Sequence, residues 1–328
     1  MIATLNKVRC AVVGLGRIGS LLEDDRLREK PATHAGAIAA NEDCELVGGC
    51  DIDENRRAAF RERWGCGATY PRVEELIADT RPDLLCVATH PDSHYRMVRA
   101  AGLGGVAVAV CEKPLANRLG AAKRIARLHR SGQITVVTNH ERRYSSDYLA
   151  VRDCIRRETY GRLLSVRGTL YFGQGRHDQV LLHDGTHMVD VINFLVGGNA
   201  HPIRRFGRMR SRTSSAYLFG RVKRIPVVIE VGSERDHLVF ELELSFERGR
   251  IRVGNGVLSF EASAESPFYE GYRSLQHDQA PEIEKTGYFS NMIADAVRCV
   301  RDPGHEPISS AIDGLAVMRF IGAVRARR

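Results

Sequence analysis

Two short stretches carry side chains able to move a proton. The first is VAVAVCEKPLAN, residues 106–117, where small and β-branched residues end in Glu112, Lys113 and Pro114. Pro114 disfavours the α region at Lys113 and holds it extended, so the lysine is aimed along the strand direction. An ammonium there can stabilise an oxygen that gains negative charge. Read blandly, it is a surface cation. Glu-Lys-Pro recurs at residues 29–31 in REKPATH, flanked by charge and by no strand. That context predicts a surface residue at Lys30. The second stretch is HDGTH, residues 183–187. On one continuous helix His183 and His187 share a face. An imidazole titrates at about pH 6.5 and suits general-base work. The spacing also mimics H-E-x-x-H, in which two imidazoles hold zinc beside an acid. A zinc-dependent hydrolase using His183 and His187 is therefore an alternative. Against it, Asp184 is shorter than the usual Glu, and Gly185 would cost the metal helix about 1 kcal/mol. Two partly buried structural histidines are the bland reading.

Residues 14–19, GLGRIG, form a G-x-G-x-x-G that follows an apolar run. Gly14 permits a tight turn, Gly16 lets a pyrophosphate approach the backbone, and Gly19 permits close helix–sheet packing. The expected helix N-terminus attracts phosphate. Arg17 and Ile18 lie within this loop. Asp51, in GGCDIDEN, ends the next apolar run. Its carboxylate suits the ribose hydroxyls of NAD and would repel the 2′-phosphate of NADP. NAD is the expected cofactor, with NADP disfavoured. The polar stretch LLEDDRLREKPATH, residues 21–34, accounts for the long distance from Gly14 to Asp51.

The elements that must position these groups are read from periodicity. Strands are expected at 8–13, 45–50, 84–88, 106–111 and 134–138, with helices at 53–64, 72–79, 93–102 and 117–131. Apolar strands alternating with helices imply a parallel sheet covered on both faces. Beyond residue 140 the texture changes. Helices are expected at 148–158, 184–195 and 312–325, and strands at 163–172, 227–230, 238–246, 250–253 and 256–260. Strands without intervening helices imply antiparallel pairing. The fold class is thus an α/β N-terminal Rossmann domain, residues 1–139, followed by a C-terminal α+β domain, residues 140–328, with an open, mainly antiparallel sheet.

Composition narrows the classes. The 328 residues are 43% hydrophobic, ordinary for a folded protein, and no run approaches the roughly 20 apolar residues of a membrane span. No apolar signal core precedes the first strand. Eight cysteines are scattered without a C-x-x-C pair, which fits free thiols in a reducing cytoplasm. The net charge is +8, densest in IRRFGRMRSR, residues 203–212. No nucleic-acid recognition motif accompanies it, so a solvated face is expected, with an anionic substrate as the functional reading.

Taken together, GLGRIG, the Asp51 strand end, THPDSH at 89–94, CEKP at 111–114, DGTHMVD at 184–190 and EPISSAIDGLAVMRFIGA at 306–323 resemble the Gfo/Idh/MocA (glucose–fructose oxidoreductase / inositol dehydrogenase) family, over essentially the whole chain. The resemblance implies hydride transfer to or from a carbinol carbon of a sugar, amino sugar, sugar phosphate or cyclitol. It implies a homodimer or homotetramer through the C-terminal sheet. Lys113 and His187 match the family's catalytic lysine and histidine. Thr89, His90, His94 and Glu112 are implied beside the cofactor, and Arg143 and Tyr144 near the substrate. The family's usual Asp-x-Gly-x-His is altered here: His183 stands where the acid normally does, and Asp184 is displaced by one. Either His183 replaces the acid, or the segment starts outside a helix and Asp184 still reaches the substrate. Asp190, one turn after His187, could orient it. A non-catalytic NAD-binding regulator is a further alternative; Lys113 and His187 argue for an enzyme.

Overall fold

The computed structural model describes residues 6–326. Residues 1–5, part of the stretch read for a leader, lie outside it. Two compact units are formed. Against an expected boundary at 139/140, the first unit runs to Tyr144 and takes back Gly287–Met318, and the second holds Ser145–Thr286 and Arg319–Arg328.

The first unit is a doubly wound sheet. Strands β1 (Val8–Val13), β2 (Cys44–Cys50), β3 (Thr69–Tyr70), β4 (Leu84–Val87), β5 (Val108–Cys111) and β6 (Thr135–Thr138) lie in the order β3-β2-β1-β4-β5-β6. Every pair is parallel. Helices α1 (His34–Ala39), α2 (Glu54–Trp64), α3 (Val73–Thr80), α4 (His94–Leu103) and α5 (Leu119–Arg130) make the connections. The central strands are short apolar runs because both sheet faces are covered; all four residues of β4 and of β5 are buried. A helix from the end of the chain, α9 (Tyr288–Arg301), completes the unit. Its Phe289, Met292, Ile293, Ala296 and Val297 join Cys10, Val12, Cys86 and Val110 in one core cluster. Burying each large side chain contributes about 1.5–3 kcal/mol, so residues 1–139 alone would leave this face uncovered.

The second unit packs α6 (Ser146–Arg156), α7 (His177–His183) and α8 (Gly185–Val196) against an eight-stranded sheet. The strands are β7 (Leu163–Tyr171), β8 (Ala200–Phe206), β9 (Ser215–Val222), β10 (Ile225–Gly232), β11 (Val239–Phe246), β12 (Gly249–Gly254), β13 (Val257–Glu265) and β14 (Arg273–Asp278). Their order is β14-β13-β12-β11-β7-β10-β9-β8. Only β7 and β10 pair in parallel; the other neighbours are antiparallel. In β11 the apolar Phe240, Leu242, Leu244 and Phe246 are buried, while Glu241 and Glu243 take the other face. That face carries cross-strand ion pairs, such as Arg250–Glu261 at 2.5 Å and Arg250–Glu243 at 3.6 Å. α8 is buried on all sides from Gly185 to Leu195. The last helix is α10 (Ala311–Ala326). No described helix is long and apolar enough to cross a membrane, and all eight cysteines are free and buried.

Candidate active site

The glycine loop follows β1 as expected. Gly14 has φ +89°, and a Cβ there would lie 2.6 Å from the Ala88 carbonyl carbon. A Cβ on Gly19 would lie 2.0 Å from the Gly14 oxygen. Both positions are closed to a side chain, whereas a Cβ on Gly16 would meet nothing nearer than the Arg56 guanidinium, at 3.6 Å. Arg17 is exposed and Ile18 half-buried. The expectation that the loop opens a continuous helix is corrected. One turn forms (Ser20 N–H to Gly16 O, 3.0 Å; Leu22 N–H to Arg17 O, 2.8 Å) and runs into a 3-10 helix, Leu21–Asp24. The chain then returns so that His34 N–H donates to Ile18 O and Ala35 N–H to Gly19 O, each at 3.1 Å. The polar insertion is thus spliced into the helix after its first turn. It is anchored: the Glu23 carboxylate accepts from Thr33 Oγ1 at 2.7 Å, Arg63 reaches Asp24 at 2.5 Å, and Gly287 N–H donates to Glu29 at 2.7 Å. Lys30 is exposed and donates to the Asp25 carbonyl at 2.6 Å and to that of Leu22 at 3.3 Å. It ties its own loop.

Asp51 is buried just past β2. Its Oδ2 accepts from Leu15 N–H at 2.9 Å, and its Oδ1 from Asp53 N–H at 3.0 Å. The glycine loop and the carboxylate are therefore one hydrogen-bonded unit. The strand order reverses between β1 and β4, where ligands bind beyond the carboxyl ends of such sheets. There Thr89 is half-buried and His90 exposed. His94, expected beside the cofactor, is fully buried between two carbonyls, Thr89 O at 3.0 Å and Leu115 O at 3.3 Å. The ring fills the space between the loop after β4 and the loop after β5. Burial lowers the pKa of its imidazole.

Beyond β5, Glu112 is also spent within the chain. Its Oε1 accepts from His34 Nε2 at 2.8 Å and Asn139 Nδ2 at 2.5 Å, and its Oε2 from Lys113 N–H at 3.2 Å. Burial pushes this carboxyl up, but hydrogen bonds from His34 and Asn139 outweigh it and the pKa falls. So a buried carboxylate fixes the backbone from which Lys113, half-buried, projects. The Lys113–Pro114 bond is cis. Sequence reasoning missed His34 and Asn139; no local pattern marks them. Arg143 is buried, donating to Ile308 O at 2.8 Å and pairing with Asp313 at 3.1 Å. Tyr144, expected near the substrate, is a core residue whose hydroxyl donates to Asp295 at 2.9 Å.

In the second unit the helix expected at 184–195 is α8, Gly185–Val196, and HDGTH starts outside it, the second of the two alternatives. His183 ends α7, Asp184 is the joint, and Gly185 begins α8. Asp184 N–H closes α7 on Val180 O at 2.9 Å, and its carbonyl accepts from His187 N–H at 3.2 Å. His183 is exposed, Asp184 half-buried, and His187 and Asp190 buried. The shared helical face inferred for positions 183 and 187 presupposed one helix, as did the zinc reading. Among the described residues, the side chains grouped closely enough to hold a metal are Asp295, Cys299 and His305. There Asp295 already accepts from His305, Tyr144 and Ile308 N–H.

A parallel sheet ordered 3-2-1-4-5-6, a glycine turn after β1 and an acid after β2 define a dinucleotide-binding α/β protein. Residues 8–140 match the GFO_IDH_MocA family model, described as an oxidoreductase family with an NAD-binding Rossmann fold. Over this region the chain is similar to the Gfo/Idh/MocA oxidoreductases. It is 33% identical over 132 residues to the 1,5-anhydro-D-fructose reductase of Ensifer adhaerens, covering 40% of this chain and 39% of that enzyme. It is 24% identical to the inositol 2-dehydrogenase of Acidothermus cellulolyticus, covering 96% and 90%. The chain spans half or less of the length of several curated relatives it matches. The WlbA dehydrogenase of Bordetella pertussis, solved with NADH and UDP-GlcNAcA, superposes with TM-score 0.73 at 18% identity, covering 98% of this chain and 95% of that one. A 3-ketoreductase of Actinomadura kijaniata, solved with TDP-benzene and NADP, does so with TM-score 0.74 at 16% identity, covering 98% and 97%. At such identities the likeness is one of fold.

Proposed function

We propose that the protein transfers hydride between a nicotinamide dinucleotide, NAD in preference to NADP, and a secondary alcohol or ketone carbon of a sugar, amino sugar, sugar phosphate or cyclitol. The observation that carries this reading is Lys113, held by Glu112 at the carboxyl end of β5, in the same sheet as the glycine loop and Asp51. Gly14, Gly16, Arg17, Ile18 and Gly19 would receive the pyrophosphate, and Asp51 the adenosine ribose. A nicotinamide dinucleotide held there would supply the hydride acceptor for oxidation and the hydride donor for reduction. In oxidation His187 takes the hydroxyl proton as general base, and Lys113 donates to the same oxygen while negative charge develops on it. The C–H pair leaves as hydride and the carbonyl forms; in reduction the same groups run backwards. His183 and Asp184 contact the substrate or orient His187. The names of the relatives, an anhydrofructose reductase and inositol dehydrogenases, support the substrate class. The exposed sheet face bearing Phe219 supports a homodimer or homotetramer; a monomer in sedimentation would remove that part.

The test is a panel of cyclitols, free sugars and nucleotide sugars, read as NADH formed or consumed. Turnover of one of them, unchanged after dialysis against a chelator, is expected. Turnover lost on chelation together with a zinc:protein ratio near one would contradict it.

A further inference from the structure

Resting on the dinucleotide reading, we infer that Arg56 sets how strictly NADP is refused: it is a movable cation at the Asp51 carboxylate that can turn to a ribose 2′-phosphate. An acid after β2 predicts strict preference for NAD, because a carboxylate repels a phosphate at close range. Asp51, however, is not alone. Arg56 lies five residues on, in the first turn of α2. Its Nη1 is 3.4 Å from Asp51 Oδ2, and its Nε is 3.7 Å from Asp53 Oδ2. A Cβ placed on Gly16 would lie 3.6 Å from the Arg56 guanidinium, so it borders the open side of the loop. One cation thus borders both the pyrophosphate loop and the ribose acid.

Two neighbouring arginines differ in how they are held. Arg57 is 12% exposed, donates to the Asp51 carbonyl at 2.6 Å and pairs with Glu54. It is part of the frame. Arg56 is 48% exposed, and both of its carboxylate contacts are long. An exposed, long ion pair is weak, so leaving it costs little. The backbone donors stay on Asp51 whatever Arg56 does, since Leu15 N–H and Asp53 N–H come from the loop and the cap of α2. Asp51 keeps lone pairs for the hydroxyls of NAD, because two carboxylate oxygens accept about four hydrogen bonds. A 2′-phosphate meets two acids, Asp51 and Asp53, and one cation free to turn. A guanidinium matches phosphate with paired donors. NAD therefore stays preferred, and NADP is admitted.

Fluorescence titration of the full chain with NADH and NADPH reads this without catalysis. Calorimetry with 5′-AMP and adenosine 2′,5′-bisphosphate isolates the adenosine half. In the wild type NADPH is expected to bind within about tenfold of NADH, a difference of about 1.4 kcal/mol. Arg56→Ala should raise the NADPH:NADH ratio of dissociation constants fivefold or more, mostly through NADPH, and Arg56→Lys should restore part of it. The bisphosphate should lose affinity where 5′-AMP does not. A ratio changed less than fivefold in Arg56→Ala, or equal weakening of both ligands, overturns the assignment. If the wild type binds neither dinucleotide, the parent reading fails and this one with it. Unaltered circular dichroism and melting of the variants exclude misfolding as the cause.

Discussion

At the scale of single residues, Asp184 does the most to separate the two halves of HDGTH. It ends one helix and starts the next, so His183 and His187 are not successive turns of one rod. His183 is exposed while His187 is buried, which suits a peripheral substrate contact better than a second proton carrier. A single net hydrogen bond is worth about 0.5–1.5 kcal/mol, or roughly 2- to 12-fold. His183→Ala should therefore raise KM by a factor in that range and leave kcat within about twofold. Asp184→Asn should lower kcat as well. Steady-state kinetics with one substrate decide this; unchanged KM and kcat in His183→Ala would make His183 a surface residue only. Lys113 was legible because strand, charge and proline are adjacent in sequence. His34 and Asn139 were not, because their partner Glu112 lies 78 and 27 residues away. The partners of His94 and Tyr144 were not legible either, because a motif reports position along the chain and not what a ring packs against.

At the scale of elements, short apolar runs identified the six-stranded parallel sheet apart from two-residue β3, and alternation identified most of the second sheet. The arginine-rich 203–212 was read as a solvated face, yet its first part is β8, the edge strand. An edge strand tolerates charge because one side is unpaired and wet. The missed α9 did carry a helical signal, at 289, 292, 293, 296 and 297. The interruption between the glycine-loop turn and α1 was invisible because the splice depends on hydrogen bonds across the insertion. α4 offers a test. His94, its first residue, is buried with a lowered pKa. Protonation is thus disfavoured in the folded state, and the unfolded chain takes the proton first. Stability from this residue is whole above about pH 6.5 and falls as pH drops below it. His129 shifts in the same direction. Melting followed from pH 7.5 to 5.5 should show a smaller loss in His94→Gln than in the wild type; an equal loss would mean that His94 does not contribute.

At the scale of the molecule, the chain returns to finish its first unit. Gly287–Met318 belongs with residues 1–144, and Asp295 on α9 holds Tyr144, His305 and the Ile308 N–H. A sequence read from one end to the other divides it at a change of texture and cannot see this return. The proposed activity rests on one lysine out of two in identical triplets. Lys30 ties a surface loop; Lys113 stands at the end of β5. Losing one preorganised donor to a developing oxyanion costs about 10²–10³ in turnover. The decisive measurement is kcat together with the NADH dissociation constant for Lys113→Ala and Lys30→Ala. The account predicts that Lys113→Ala loses at least about a hundredfold in kcat with NADH affinity within about threefold, and that Lys30→Ala keeps both. Turnover within about tenfold of wild type in Lys113→Ala, or loss of activity in Lys30→Ala instead, would contradict it.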